Sequence, residues 1–306
     1  MGRFWFTALA GLWGFAAWGQ VIGDVREAIY QQDFARGDRY VQTYRARNGV
    51  TPELLEALSW LGRGALDAGQ YDQADRYAAE TRKLALEELA KRKMDDERHL
   101  PIALGASIEV HVQVLAAHGQ HGEALAFLQR ELAAYRNTSI APRIQKNINL
   151  LTLVGKPAPP LQITEWLGPK PMPIAQWKGH PVLLFFWAHW CGDCKAEVPE
   201  LVKLLAEYRS KGLVLIGPTQ HYGYAAGGAD ASREQETQYI DDVRKRYYAP
   251  LEGMSVPLSE QNFKNYGAST TPTLVLVDRQ GIVRLYHPGA MSCLQLATKL
   301  AEIIRN

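Results

Sequence analysis

The chain has 306 residues, 47% of them apolar, with 34 basic and 32 acidic side chains and a formal net charge of +2. That length accommodates two domains and that composition an ordinary globular core, while the near balance of charge gives no reason to expect nucleic acid or an acidic membrane surface as partner. Three cysteines are too few for a disulfide framework.

Arg3 precedes an uncharged stretch, residues 4–18. It has the length of a signal-peptide apolar core and is short for a membrane span, which needs about 20 residues. Ala17 and Gly19 supply small residues for a cut before Gln20. Residues 1–19 are therefore expected to be a cleaved signal peptide. The rival is an uncleaved anchor that extends through Val21 and Ile22 to Gly23. Either way the rest of the chain is expected to be extracytoplasmic, periplasmic or secreted, with membrane contact only through this segment. There is no cysteine here to carry a lipid.

Residues 24–150 show apolar side chains recurring at three and four, the helical period, with few β-branched runs. Leu61-Gly62, followed by Gly69-Gln70-Tyr71-Asp72-Gln73-Ala74, resembles a tetratricopeptide hairpin: a close helix crossing, a turn glycine, an aromatic and a small alanine. Gly119-Gln120-His121-Gly122-Glu123-Ala124 is a weaker echo, 50 residues on instead of the 34 of that repeat. The helices are then longer than standard, or an element intervenes. Pro101 breaks the long pattern that begins near Gln73. The expectation is an all-α helical-hairpin domain that binds a protein partner; the alternative is a plain bundle packed on the second domain.

Gly155-Lys156-Pro157-Ala158-Pro159-Pro160 marks the expected domain boundary. Beyond it short strands alternate with helices. Leu161-Gln162-Ile163 and Pro173-Ile174 read as edge strands, and the apolar run 182–187 as a buried central strand. A helical pattern covers 195–209, with Pro199 expected to kink it. A strand comes next at 213–216, then a helix opened by the capping box Ser232-Arg233-Glu234-Gln235. Runs 273–277 and 282–286 flank the turn Asp278-Arg279-Gln280-Gly281 and read as a hairpin; a last helix spans about 292–305.

Trp190-Cys191-Gly192-Asp193-Cys194 lies between the central strand and the helix after it. A cysteine at a helix start gains free backbone N–H groups and the positive end of the dipole, both of which favour a thiolate. Two intervening residues let the sulfurs meet within one turn, so a disulfide can open and close with little backbone movement. Zinc would need four ligands; only Cys293 remains, and the eight histidines show no ligand spacing. Redox chemistry without metal or cofactor is the expectation, and no methionine- or histidine-rich cluster supports copper or haem delivery. Glu197, three residues past Cys194, is either a proton acceptor for it or a solvated acid. Pro272 enters a strand, where a cis bond would present the Thr271 backbone to an extended substrate. Cys293 is a third redox thiol at a helix start or an inert, partly buried residue. The Gly/Tyr-rich segment 217–231, with His221, Tyr222 and Tyr224, either lines a substrate groove or is a surface loop.

From about residue 155 onward the chain resembles the thioredoxin fold, and more closely the TlpA/ResA-like exported thiol-disulfide oxidoreductases. Lys178-Gly179-His180-Pro181, the stretch 186–194, Glu197-Val198-Pro199, Thr271-Pro272-Thr273, Asp278 and Gly281 carry the resemblance. It implies a thioredoxin-like α/β domain over 155–306, with a central mixed sheet flanked by helices. It also implies roles: Cys191 as the exposed attacking thiol, Cys194 as the buried resolving one, and the two as a redox-active disulfide. Glu197 would handle protons, Trp190 would flank the site, and Pro272 would be a cis-proline that offers the substrate its backbone. Partners would be protein thiols and disulfides, in roles that include cytochrome c maturation. Asp193 stands where the family often has proline; a carboxylate there disfavours a thiolate and points to a reductant. The opposing class is an interaction protein, whose thioredoxin-like domain anchors or senses a partner without turning over.

Overall fold

The computed structural model describes residues 20–305; the expected signal or anchor segment, 1–19, lies outside them. The chain divides into two compact units, one up to residue 114 and one from residue 115.

The first unit is helical, with α1 (Gln20–Tyr30), α2 (Phe34–Asn48), α3 (Pro52–Asp67), α4 (Tyr71–Leu89) and most of α5 (His99–Ala117). The Thr51 hydroxyl accepts the Leu54 N–H and Pro52 opens the first turn, so α3 begins where its caps dictate. A Cβ added at Gly62 would stand 3.4 Å from that of Tyr77, which marks a close crossing of α3 and α4. Their turn has Gly69 at φ +71°, with Gly69 N–H bonded to Leu66 O and Gln70 N–H to Ala65 O. This is a left-handed glycine cap of the Schellman type. Gly119, at φ +76°, repeats it with Ala116 and Leu115. Long helices and a 3₁₀ turn at Met94–Asp96 account for the spacing between the two turns. Pro101 lies in the first turn of α5, where a missing N–H is tolerated. Among the described residues α5 is the one helix long and apolar enough to cross a membrane. Its Leu100, Leu104 and Ile108 are buried, as in a core helix.

The second unit opens with α6 (His121–Tyr135) and α7 (Ala141–Thr152). Its strands are β1 (Trp166–Leu167), β2 (Val182–Phe186), β3 (Val214–Ile216), β4 (Val256–Pro257), β5 (Thr273–Val277) and β6 (Val283–Pro288). The remaining helices are α8 (Gly192–Tyr208), α9 (Arg233–Tyr247), α10 (Glu260–Tyr266) and α11 (Cys293–Arg305). The main sheet has the order β3-β2-β5-β6, with β2 parallel to β3 and antiparallel to β5. Side chains alternate across β2. Leu183, Phe185 and Trp187 join one buried cluster, with Leu201 and Leu204 of α8 and Leu296 of α11. Val182, Leu184 and Phe186 join another, with Phe263 and Tyr266 of α10 and Leu153. A mixed sheet buried on both faces is the thioredoxin-like architecture.

Several expectations need correction. The Pro-rich stretch 155–160 is not a free linker: Gly155 N–H bonds to Val283 O, Ala158 N–H to Gly281 O, and Tyr266 donates to Pro159 O. It straps onto the sheet inside the second unit, so the division between units comes earlier than 150–155 and α6 and α7 lie with the sheet domain. Leu161-Gln162-Ile163 is not a strand, because the Asn262 side chain satisfies the Gln162 backbone, accepting from its N–H at 2.7 Å and donating to its carbonyl at 3.0 Å. Ile174 begins a 3₁₀ turn (Ile174–Trp177) instead of a strand. The short β1–β4 pair had no alternation long enough to announce it. Pro199 lies inside α8, as the sequence leads one to expect.

Candidate active site

The end of β2 delivers Trp187 to a tightly sewn corner. Trp187 indole N–H donates to Gly217 O at 2.9 Å, and the Thr219 hydroxyl donates to Trp187 O at 2.8 Å. A Cβ at Gly217 would meet Met254 Sδ at 2.6 Å and Trp187 Nε1 at 3.1 Å, so these side chains would have to shift to admit it. These bonds fix the strand end from which 188–191 leads to α8.

Cys191 is the N-cap of α8, with extended backbone, and its sulfur accepts the Cys194 N–H at 3.0 Å. The capping position explains why α8 starts at Gly192, earlier than the apolar pattern suggests. Cys191 and Cys194 form a disulfide with their Cα atoms 5.3 Å apart. Cys194 is fully buried. Cys191, expected to be exposed, is only 3% exposed in this oxidised form. Its sulfur lies 3.5 Å from the Thr271 carbonyl oxygen, beneath the Thr271–Pro272 loop. The Thr271–Pro272 bond is cis, the form the resemblance implies. Trp190, by contrast, is 50% exposed.

Glu197 is not a solvated acid: it is 4% exposed, and its carboxylate accepts the Met291 N–H at 3.0 Å. Burial raises its pKa; the Met291 N–H opposes that and the nearby Glu200 charge adds to it. Asp193, in the first turn of α8, is exposed to solvent. Cys293 is half-buried, its N–H bonded to Glu200. Burial and the Glu200 and Glu207 carboxylates raise its thiol pKa, the reverse of activation at a helix end, so the inert reading is the one that fits.

Segment 217–231 is anchored by Glu236 of α9, a residue that sequence reasoning passed over. Its buried carboxylate accepts the N–H groups of Tyr222 (2.6 Å) and Gly223 (2.8 Å) and faces His189 Nε2 at 3.1 Å. Burial lowers the His189 pKa more than Glu236 raises it, which favours the neutral imidazole. Tyr222, Tyr224 and Tyr239 meet the His189 ring edge-on at 5.2–5.5 Å. Tyr222 also packs edge-on against Trp190, with centroids 5.6 Å apart. Of His221, Tyr222 and Tyr224, the three candidates for a groove, Tyr222 therefore reaches the site rim. Tyr224 buttresses His189, and His221 bonds to Thr237. A glutamate just after a capping box looks solvated in sequence; only the path of the loop shows that it is buried.

A cleft of about 630 Å³ is lined by Trp190, the neighbour of Cys191, by Tyr222 and Thr271, and by Arg136 to Ser139, the corner between α6 and α7. Among the described residues, no group of three or more His, Cys, Asp or Glu side chains could hold a metal.

Residues 154–286 match the AhpC/TSA family. The thiol-disulfide oxidoreductase ResA of Oceanobacillus iheyensis is 38% identical over 162 residues, 52% of this chain and 77% of that protein. ResA of Bacillus thuringiensis is 27% identical over 150 residues, 49% and 78% of the two chains. The thiol:disulfide interchange protein DsbE of Xylella fastidiosa is 29% identical over 153 residues, 50% and 70% of the two chains.

Proposed function

The chain belongs to the family of ResA-like thiol-disulfide oxidoreductases, and on that premise we propose that it is exported and reduces disulfides in partner proteins through Cys191 and Cys194. The observation that carries this reading is the disulfide at the start of α8, with one sulfur under the Thr271 carbonyl beside an open cleft. Export is supported by the basic and apolar character of residues 3–18.

In the reduced protein the Cys191 thiolate attacks one sulfur of the partner disulfide, and the other partner sulfur leaves as a thiolate. Cys194 then gives up its proton and attacks Cys191 Sγ, which releases the second partner sulfur. Two electrons pass from the dithiol to the partner, and the Cys191–Cys194 bond is the product. Glu197 accepts the Cys194 proton. Its raised pKa brings it closer to a thiol than an exposed carboxylate would be, which is what general-base transfer requires. Trp190 and the Thr271 backbone hold the partner segment against the sulfur.

Two measurements bear on this scheme. Glu197→Gln keeps the Met291 hydrogen bond but cannot take a proton. Resolution of a preformed mixed disulfide should slow about 10²-fold or more, the usual worth of a positioned base. The wild-type rate should fall as pH drops through the raised Glu197 pKa, and the variant should lack that limb. A variant profile identical to wild type between about pH 5 and 9 would remove Glu197 from the mechanism. Because the folded carboxyl holds its proton more tightly than the unfolded one, wild-type stability should also decline as pH rises through that pKa.

The second measurement is the midpoint potential, from equilibration with glutathione or dithiothreitol buffers. Asp193 opposes a thiolate at Cys191 while the helix terminus, worth about 0.3–1 kcal/mol, favours it. The potential should fall nearer about −270 mV, as in thioredoxin, than about −120 mV, as in DsbA. A value above about −180 mV would overturn the assignment as a reductant.

A further inference from the structure

Resting on the oxidoreductase reading above, we propose that the corner between α6 and α7 is the far wall of the partner-binding cleft. We further propose that Arg136 on it favours partners with an acidic residue beside the reacting cysteine. The cleft is lined both by Trp190 and Thr271, which adjoin Cys191 in sequence and in space, and by Arg136 at the end of α6. Its volume of about 630 Å³ is that of a ligand pocket, typically about 300–1,000 Å³, and accommodates a short stretch of extended chain.

At the cysteine end the Trp190 ring, packed edge-on against Tyr222, leaves half of its surface open to a bound segment. At the far end the charges do not cancel. Glu260 and Lys264 both line the cleft and pair with each other at 3.0 Å, whereas Arg136 is exposed and has no ion pair among the described residues. The cleft therefore presents one unmatched positive charge. The complementary occupant is a polypeptide segment with a carboxylate a few residues from its cysteine, held by charge at one end and by disulfide exchange at the other. The α6–α7 corner precedes the segment matched by the family but belongs to the same compact unit as the sheet, so the wall comes from residues of that unit outside the matched segment.

The test uses the prereduced full chain and symmetrical disulfides of short cysteine peptides with glutamate, glutamine or lysine on both sides of the cysteine. The single-turnover rate constant with each peptide is divided by that peptide's rate with dithiothreitol, which cancels its intrinsic reactivity. For each variant it is divided also by the rate with 2-hydroxyethyl disulfide, which is too small to span the cleft. Wild type should prefer the glutamate over the lysine peptide about threefold to fivefold, the size an exposed ion pair supports. The preference should shrink in high salt. Arg136→Gln should abolish it and Arg136→Glu should reverse it. A wild-type ratio near one, or the same ratio in Arg136→Glu, overturns the proposal. Failure of the wild type to reduce 2-hydroxyethyl disulfide at all would instead overturn the oxidoreductase reading, so the two failures are distinct.

Discussion

Cys191→Ser is expected to abolish disulfide exchange, and Cys194→Ser to leave long-lived mixed disulfides attached through Cys191. The reason is positional. Cys191 caps α8, its sulfur accepts the Cys194 N–H at 3.0 Å and lies 3.5 Å from the Thr271 carbonyl oxygen, and its neighbour Trp190 lines the cleft. A thiolate there would keep the hydrogen bond and face the positive end of α8, which favours Cys191 as the attacking sulfur once the pair opens. A serine hydroxyl can accept the same N–H but forms no disulfide. Cys194 has no exposed surface, so it can meet only a sulfur already bound to Cys191. Mass spectrometry of trapped adducts after proteolysis decides the matter. Adducts through Cys194 or Cys293 would overturn the assignment, and the raised thiol pKa of Cys293 argues against the latter.

Gly267→Ala is expected to produce the largest loss of stability. Gly267 ends α10 in the left-handed region, at φ +58° and ψ +34°. A side chain there costs about 1–2 kcal/mol from conformation alone. Its Cβ would also stand 2.3 Å from Lys146 N and 2.7 Å from Gln145 C, backbone atoms of α7 that cannot rotate away. Forcing the helices apart adds roughly 1–3 kcal/mol, against a typical total of about 5–15 kcal/mol. Gly253→Ala is the control: φ is +78°, but no atom lies within 4 Å, so only the conformational part is lost. Urea denaturation of both variants measures the difference. If they were equally stable, α7 would not be seated against α10 as described.

Gly267 also bears on the boundary expected at 155–160. Cutting the chain at residue 155 removes α7, whose Ile144 and Asn147 are buried and whose Asn149 amide donates to Asn265 O. The pattern of Pro and Gly at 155–160 is the same for a free linker and for a strap that bonds to β6. Only the partners of its N–H groups distinguish the two.

What the sequence by itself determined is local. The Cys-x-x-Cys pair after an apolar run, the Ser232 capping box, the glycine turns at Gly69 and Gly119 and the β5–β6 hairpin depend on residues within a turn of one another. Their hydrogen bonds close over three to five positions, so they read directly. Tertiary structure decided what depends on burial between distant segments. Glu197 and Glu236 look like ordinary helical acids until Met291, the Tyr222 loop and His189 close over them and supply their donors. The Leu161–Ile163 run looks like a strand until Asn262, some 100 residues on, takes its backbone bonds. Arg136 and Lys264 line one cleft although they lie far apart in sequence, and the close contact of α7 with α10, for which a glycine without a Cβ makes room, is announced by no periodicity in either helix.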